Sequence, residues 1–336
     1  MLDRPDVPLA SLTTLQLGGP ARRLLTAYDE AELVEAVRLA PGALVLGGGS
    51  NVVLPDAGLD QVVLVRSHGL SGRREGGRVR LEVAAGEDWD RLVATTVADG
   101  LVGLEALSGI PGTVGAGPVQ NIGAYGSELS RTIVGVRALD TSRDEIVELS
   151  ATQCRFGYRD SAFKAEAGRW VVLSVVLSLA DAGLGEPVGY AELARTRGIR
   201  TGERAPASEV REAVLALRRG KGMVLDSADP DSRSVGSFFT NPVLAAADVP
   251  AGAPAFPHQD GRVKTSAAWL IEQAGFTRGW GRGPVGLSSK HTLALVHRGG
   301  GSTADLLHAA RTLRDGVRER FGIELQPEPV LVDQRL

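Results

Sequence analysis

The sequence predicts an α+β chain arranged in three blocks. Three observations carry that expectation. Short apolar runs alternate with a helical stripe near the start, alternating strands fill the middle, and amphipathic helices dominate the last third. At 336 residues, two or three compact units of roughly 100–200 residues each are expected.

The elements follow in order. Residues 29–40 carry Leu33, Val34 and Val37 behind an acidic start, a helical spacing. Residues 43–46 form an apolar run that ends in Gly47-Gly48-Gly49, and 61–66 form a second strand, so the first block (about 14–68) reads βαββ-like. Residues 78–84 alternate, with Val79, Leu81 and Val83 on one face. A helix over 88–99 is closed by Gly100. Strands over 132–139, 145–149 and 170–179 complete a sheet-rich middle block. From about 190 the texture changes to helices over 208–219, 266–274 and 302–321, with a strand at 293–296. The last helix is the clearest: Leu306, Ala310, Leu313, Val317 and Phe321 share a face, Ser302 with Asp305 makes a capping box, and Gly322 ends it. A final strand over 323–332 is interrupted by Pro327 and Pro329, which suits an edge or a turn into a site.

Composition narrows the function. Hydrophobic residues are 43% and charged residues 23%, ordinary for a globular chain. The net charge of −3 disfavours a general nucleic-acid binder. One cysteine, Cys154, permits neither an internal disulfide nor a cysteine-rich zinc site, and fits a reducing compartment. No signal-peptide pattern opens the chain, and its most apolar stretch, 170–180, is far below the ~20 residues of a membrane span. The expectation is a cytoplasmic protein with no membrane, nucleic-acid or obligate protein partner. Only four of the 37 basic residues are lysines, and Lys164, Lys221, Lys264 and Lys290 all lie in or beside the motifs below.

Glycine, 43 residues, is clustered rather than periodic. In Leu46-Gly47-Gly48-Gly49-Ser50-Asn51 three glycines let backbone N–H groups crowd one point, as a pyrophosphate requires; a tight hairpin without a ligand is the alternative. A dinucleotide Rossmann turn is disfavoured, because Val52 replaces the third glycine and a turn follows where a helix is needed. The longer loop 109–126 is rich in glycine, costly to order, and offers the amides of Gln120 and Asn121 for a flavin or adenine edge; a mobile lid is the other reading.

These loops, with Cys154-Arg155-Phe156-Gly157-Tyr158-Arg159-Asp160-Ser161, Gly236-Ser237-Phe238-Phe239-Thr240-Asn241-Pro242, Trp269-Leu270-Ile271-Glu272-Gln273 and Gln326-Pro327-Glu328, occur in one order along nearly the whole chain. In that order the sequence resembles the MurB family of UDP-N-acetylenolpyruvoylglucosamine reductases, flavoenzymes that complete UDP-N-acetylmuramic acid in peptidoglycan synthesis. The resemblance implies a two-part FAD-binding module of the vanillyl-alcohol-oxidase type over 1–68 and 69–188, and a C-terminal α+β substrate-binding domain over 189–336 whose last strand returns to the active site. It implies FAD as cofactor, NADPH as reductant and a nucleotide sugar as substrate.

Site residues carry over with it. FAD is expected at Gly47, Gly48, Gly49, Ser50, Asn51 and Val52, and at Pro111, Gly112, Gly115, Ala116, Gln120, Asn121, Ile122, Gly123, Ala124 and Tyr125. Arg159 is implied to hold the substrate carboxylate, Ser237 to donate a proton with Lys221 as helper, and Glu328 to polarise the carboxylate. Tyr190, in a loop that marks the family's long form, is implied to meet substrate, as are Lys221, Asn241, Gln273 and Lys290. No metal is required. Two departures stand out: Ala116-Gly117-Pro118 lacks the Ser or Thr common before that proline, and Pro329 is an extra proline after Glu328. The competing readings are another FAD-dependent oxidase or dehydrogenase on the same module, and a non-catalytic nucleotide-sugar-binding protein.

Overall fold

A computed structural model describes residues 1–258 and 260–336. The chain divides into two compact units, each discontinuous in sequence. The first comprises Met1–Val7, Ala21–Gly48 and Leu59–Arg219; the second comprises Pro8–Pro20, Gly49–Gly58 and Gly220–Leu336.

The first unit holds two sheets. In the smaller, Leu44–Leu46 and Pro20–Ala27 both pair in parallel with Leu59–Val65, and Leu2–Pro8 flanks Pro20–Ala27. Helix α1 (Glu30–Leu39) connects two parallel strands, as a parallel crossover requires. Its N-cap, Asp29, accepts the Glu32 N–H at 2.8 Å, and Leu33, Val34 and Ala36 face inward. The first glycine loop therefore begins at the carboxyl end of a parallel strand, where open α/β sheets commonly place ligands.

The larger sheet is antiparallel, ordered Glu145–Ser150, Ile133–Asp140, Trp170–Asp181, Arg78–Ala84, Leu70–Glu75, with Leu101–Val102 also on Trp170–Asp181. Val79, Leu81 and Val83 alternate into the core, and helix α2 (Trp89–Ala98), capped by Asp88, buries Trp89, Leu92 and Val93. Short helix α3 (Ala162–Ala165) follows the motif around Arg159; α4 (Ala191–Arg197) and α5 (Ala207–Gly220) follow the strands. The strand Leu70–Glu75 has no sequence signal because every residue in it is exposed, so no buried face imposes alternation. The same holds for nearly all of Leu2–Pro8.

The second unit packs helices α6 (Ala267–Gln273) and α7 (Thr303–Phe321) over short strands and a buried Phe238–Phe239 pair. Helix α7 shows the expected Ser302–Asp305 capping box and a left-handed Gly322. Asp56 adds to this cap by accepting the Thr303 and Ala304 N–H groups, so Gly49–Gly58 is bound into the unit. Pro8–Pro20 is tied in likewise: buried His297 accepts the Gly301 N–H on Nε2 and bonds the Leu15 carbonyl through Nδ1, which fixes Nδ1 as the protonated nitrogen.

Two strand expectations need correction. The strand expected at 293–296 is Leu295–His297, paired with Val285–Leu287, because Leu293 and Ala294 bond the Ser237–Phe238 segment instead. The final strand expected over 323–332 forms a regular ladder only at Val330–Leu331, parallel to Val52–Val53. The stretch before it bonds the Phe238–Thr240 segment instead, through a single bridge between Phe239 and Pro327.

Candidate active site

In the first unit the two glycine loops close on each other. A Cβ on Gly48 would fall 2.6 Å from the Gly112 Cα, and one on Gly47 would fall 2.4 Å from Thr113 Oγ1. Backbone meets backbone at Gly48 and meets the Thr113 side chain at Gly47, so a side chain at either residue would part the loops. The second loop is pinned along its length: Trp89 N–H donates to the Gly112 carbonyl, Val114 to Glu87 and Gly115 to Ala85. Its entrance is fixed by Asp90, which accepts the Gly109 N–H at 2.6 Å and a two-pronged pair from Arg211 at 2.6 and 2.8 Å. Those donors hold the Asp90 carboxyl below its ordinary range although burial opposes them. The first loop continues into the second unit, where Thr14 N–H donates to the Gly49 carbonyl and Val330 N–H to the Asn51 carbonyl.

A pinned, side-chain-free double loop is the cradle a dinucleotide diphosphate needs. The residues present fit FAD on that ground. Gly47, Gly48, Pro111, Gly112, Gly115 and Ala116 stand at or beside the close approach.

The loop ends in a two-residue hairpin. Gly123 and Ala124 pair with Glu128 and Ser127, and the turn residues Tyr125 and Gly126 both have positive φ, +50° and +82°. Tyrosine pays strain in that conformation, a feature that clusters at functional sites. The turn presents Tyr125 edge-on to Tyr190, ring centroids 5.4 Å apart.

Arg159 also lies in left-handed backbone, φ +53°. Its Nη2 donates to the Gly123 carbonyl at 2.7 Å, and Lys164 Nζ donates to the Arg159 carbonyl at 2.9 Å. Asn121 completes the arrangement: its amide donates to the Gly157 carbonyl and to Glu128, and its Oδ1 accepts the Ser130 N–H. The Asn121 side chain, expected to read a flavin edge, is thus engaged in clamping the Arg159 turn to the hairpin. Gln120 is buried beside it, and Ile122 bonds back to Gly117 and onward to Leu129.

One cation escaped the sequence reading. Arg218 on α5 is 9% exposed, and burial lowers its pKa; Tyr125 and Asp90 oppose that shift and Arg159 adds to it. The signal was present: Val210, Val214 and Arg218 recur at four-residue spacing, which turns Arg218 onto the buried face. Tyr125 in turn is pushed up to about 12, chiefly by burial, with Arg218 partly offsetting it.

In the second unit Ser237 and Glu328 lie on adjoining segments. Phe238 N–H donates to Leu293 at 2.7 Å, while its carbonyl accepts the Glu328 N–H at 2.8 Å. Ser237 bridges Ala294, and Phe239 bridges Pro327. Phe238 and Phe239 are at most 1% exposed and hold this segment in the core. Donors at Glu328 and Val330 are the ones the tail uses, so both flanking prolines fall where no N–H is needed.

The remaining substrate candidates of this unit are placed as follows. Asn241 Oδ1 accepts the Ala267 N–H at the start of α6, and exposed Gln273 is the last residue of that helix, about 9 Å along its axis. Lys221 follows α5 directly. Lys290 is ion-paired with Asp229 at 2.7 Å, which raises its pKa, with Asp231 and Asp226 adding to it. Asp231 in turn accepts Ser289, so Lys290 belongs to a buttress between two loops. Among the described residues, no three His, Cys, Asp or Glu side chains are grouped to hold a metal, and no helix is long and apolar enough to cross a membrane.

Fold and site define an FAD-binding oxidoreductase. Residues 21–150 match the model of the FAD binding domain, and residues 229–332 match that of the UDP-N-acetylenolpyruvoylglucosamine reductase C-terminal domain. The chain is 51% identical to the UDP-N-acetylenolpyruvoylglucosamine reductase of Thermobifida fusca, with 97% of each covered. It is 52% identical to that of Streptomyces coelicolor, over 97% of this chain and 89% of the relative. The crystal structure of the reductase from Thermus caldophilus superposes with a TM-score of 0.67 at 25% identity, covering 98% of this chain and 99% of that one. The chain belongs to the UDP-N-acetylenolpyruvoylglucosamine reductase family.

Proposed function

We propose that the chain reduces the enolpyruvyl ether of UDP-N-acetylglucosamine to the lactyl ether of UDP-N-acetylmuramic acid in the cytoplasm, with FAD carried by 1–188 and the nucleotide sugar by 189–336. FAD, held by the glycine loops, would supply the redox chemistry, the transfer of a hydride equivalent from NADPH to the enol carbon remote from the carboxylate. What the chain's own residues must do is hold the substrate carboxylate and deliver one proton to the adjacent carbon.

The observation that supports this reading most is the bond from the Glu328 N–H to the Phe238 carbonyl, which ties Glu328 to the segment carrying Ser237. Ser237 is the proposed proton donor. A serine hydroxyl is a weak acid, so Lys221, or a water that it holds, is proposed to favour its ionisation. Arg159 is proposed to bind the carboxylate with its guanidinium, whose carbonyl partner at Gly123 fixes its direction. Glu328 is proposed to polarise the substrate carboxylate in a protonated or proton-sharing form, because two bare carboxylates repel. Tyr190, Lys221, Asn241 and Gln273 are proposed to meet the nucleotide sugar; Lys290 acts through the Asp229 buttress.

The test separates the half-reactions. The yellow protein is reduced anaerobically with one equivalent of NADPH, and the enolpyruvyl nucleotide is then added while flavin absorbance is followed. Prompt reoxidation with UDP-N-acetylmuramic acid formed is expected. Flavin that remains reduced until air enters would favour an oxidase. In Ser237→Ala, flavin reduction should persist and transfer to the enol should fall by roughly 10²–10⁴-fold, the usual worth of a general acid; equal slowing of both halves would remove Ser237 from the role.

A further inference from the structure

Glu105 is a buried carboxylate, 2% exposed, in no element the reaction uses directly. Its Oε2 accepts the Gly103 N–H at 2.6 Å within its own turn. Its Oε1 accepts the Glu186 N–H at 2.8 Å, 81 residues away in sequence. Burying a carboxylate is costly unless its bonds are made, and here one of them reaches out to a distant segment.

That segment is the root of an arm. Residues 183–206 run out and back: Gly185 N–H donates to the Ala205 carbonyl, Val188 to Glu203, and Gly202 to Val188. Leu184 bridges Pro206, and Arg204 donates to the Gly185 carbonyl. Tyr190 rides on this arm immediately before α4, and the arm has its own small core of Val188, Leu193, Ala194 and Ala205 against α5. Glu105 grips Glu186, four residues before Tyr190, while Tyr125 meets Tyr190 edge-on at the far end. Space at the root is already closed: a Cβ on Gly185 would lie 2.8 Å from Glu105 Oε1 and 3.2 Å from the Ala205 carbonyl.

We propose that Glu105 is a positioning residue for Tyr190, holding the root of the 183–206 arm so that the tyrosine stands where the nucleotide sugar binds. The inference rests on the reading of Tyr190 as a substrate residue. At the entrance of the second glycine loop, the Ser108 hydroxyl donates to the Glu105 backbone carbonyl, a bond that does not involve the carboxylate. The carboxylate holds the arm alone, since the Ser108 bond is to the backbone of Glu105.

The variant Glu105→Gln keeps the size but replaces one oxygen with an amide NH2 group that faces an N–H donor. With the FAD-loaded enzyme, amide exchange over 183–206 should accelerate. KM for the enolpyruvyl nucleotide should rise roughly tenfold, on the scale of one lost charge-assisted bond, while flavin reduction by NADPH holds within about twofold. Gly185→Ala presses on the same oxygen from the arm side and should act in the same direction, which keeps the test open if Glu105→Gln folds poorly. On a Tyr190→Ala background Glu105→Gln should add little to KM, because both changes act through one contact. A Glu105→Gln enzyme with unchanged KM, beside a Tyr190→Ala enzyme with raised KM, overturns the inference alone. A Tyr190→Ala enzyme with unchanged KM overturns the substrate reading of Tyr190 and takes the inference with it.

Discussion

Tyr125 occupies a position that glycine or asparagine would adopt at less cost; its ring meets Tyr190 edge-on, and its hydroxyl feels the charge of the buried Arg218. Burial pushes its hydroxyl up to about 12. Of the four tyrosines in the chain, one should therefore release its proton only near pH 12, and that step should vanish from a phenolate absorbance titration of Tyr125→Phe. The linkage has a definite sign. A pKa raised above the unfolded value of about 10 gives stability that is complete below that pH and lost as pH climbs through the folded value. Denaturation midpoints of the wild type should thus fall more steeply than those of Tyr125→Phe across that alkaline window. Glu328 allows a second test at this scale. Glu328→Gln should keep substantial activity if a neutral hydrogen-bonding group suffices, whereas Glu328→Ala should lose it; equal losses would argue that the negative charge is needed. Motifs in the sequence point to Arg159 and Ser237 as candidates, and their roles are proposals. The partners of Asn121 and Lys290 were not readable, because partners 36 or 61 positions away are set by the fold.

Elements with a buried face announced themselves; those without did not. The α7 stripe and cap were plain from spacing, since its buried side consists of Leu306, Ala310, Leu313 and Val317. The strand Leu70–Glu75 was invisible because pairing alone, with no face buried, leaves no pattern. The glycine loops were visible as loops, yet not as partners of one another. Their close approach makes Gly48→Ala a sharp probe: a methyl 2.6 Å from the Gly112 Cα must part the loops, and FAD affinity should drop with little change in fold. An alanine variant that retains flavin at wild-type affinity would show that the approach is not needed. Gly117 is a subtler case. A Cβ there would sit 2.8 Å from Leu129 Cδ2, and Leu129 is fully buried. The hydroxyl missing before Pro118 is thus excluded by a neighbour. Gly117→Ser alone should destabilise by about 1–3 kcal/mol through overpacking, and pairing it with Leu129→Ala should recover part of that loss in thermal melts.

At the scale of the molecule, the first glycine loop belongs to both compact units, Gly47 and Gly48 to one and Gly49 onward to the other. Discontinuous units of this kind leave no trace in composition, because Pro8–Pro20 and Gly49–Gly58 join the second unit through hydrogen bonds to Ser234, His297 and Thr303 rather than through any change of texture. This arrangement determines what removal of the cofactor should do. A ligand at a hundredfold excess over its Kd adds about 2.7 kcal/mol to stability by mass action, so the flavin-free protein should melt lower. The loss should be local before it is global. Amides of 109–126 should exchange faster without FAD. Amides of α7 beyond the first turn, which Asp56 caps, should keep their protection until global unfolding. Hydrogen exchange of the loaded and stripped protein decides the matter: amides of 109–126 that exchange alike with and without FAD would mean that the flavin does not engage this loop.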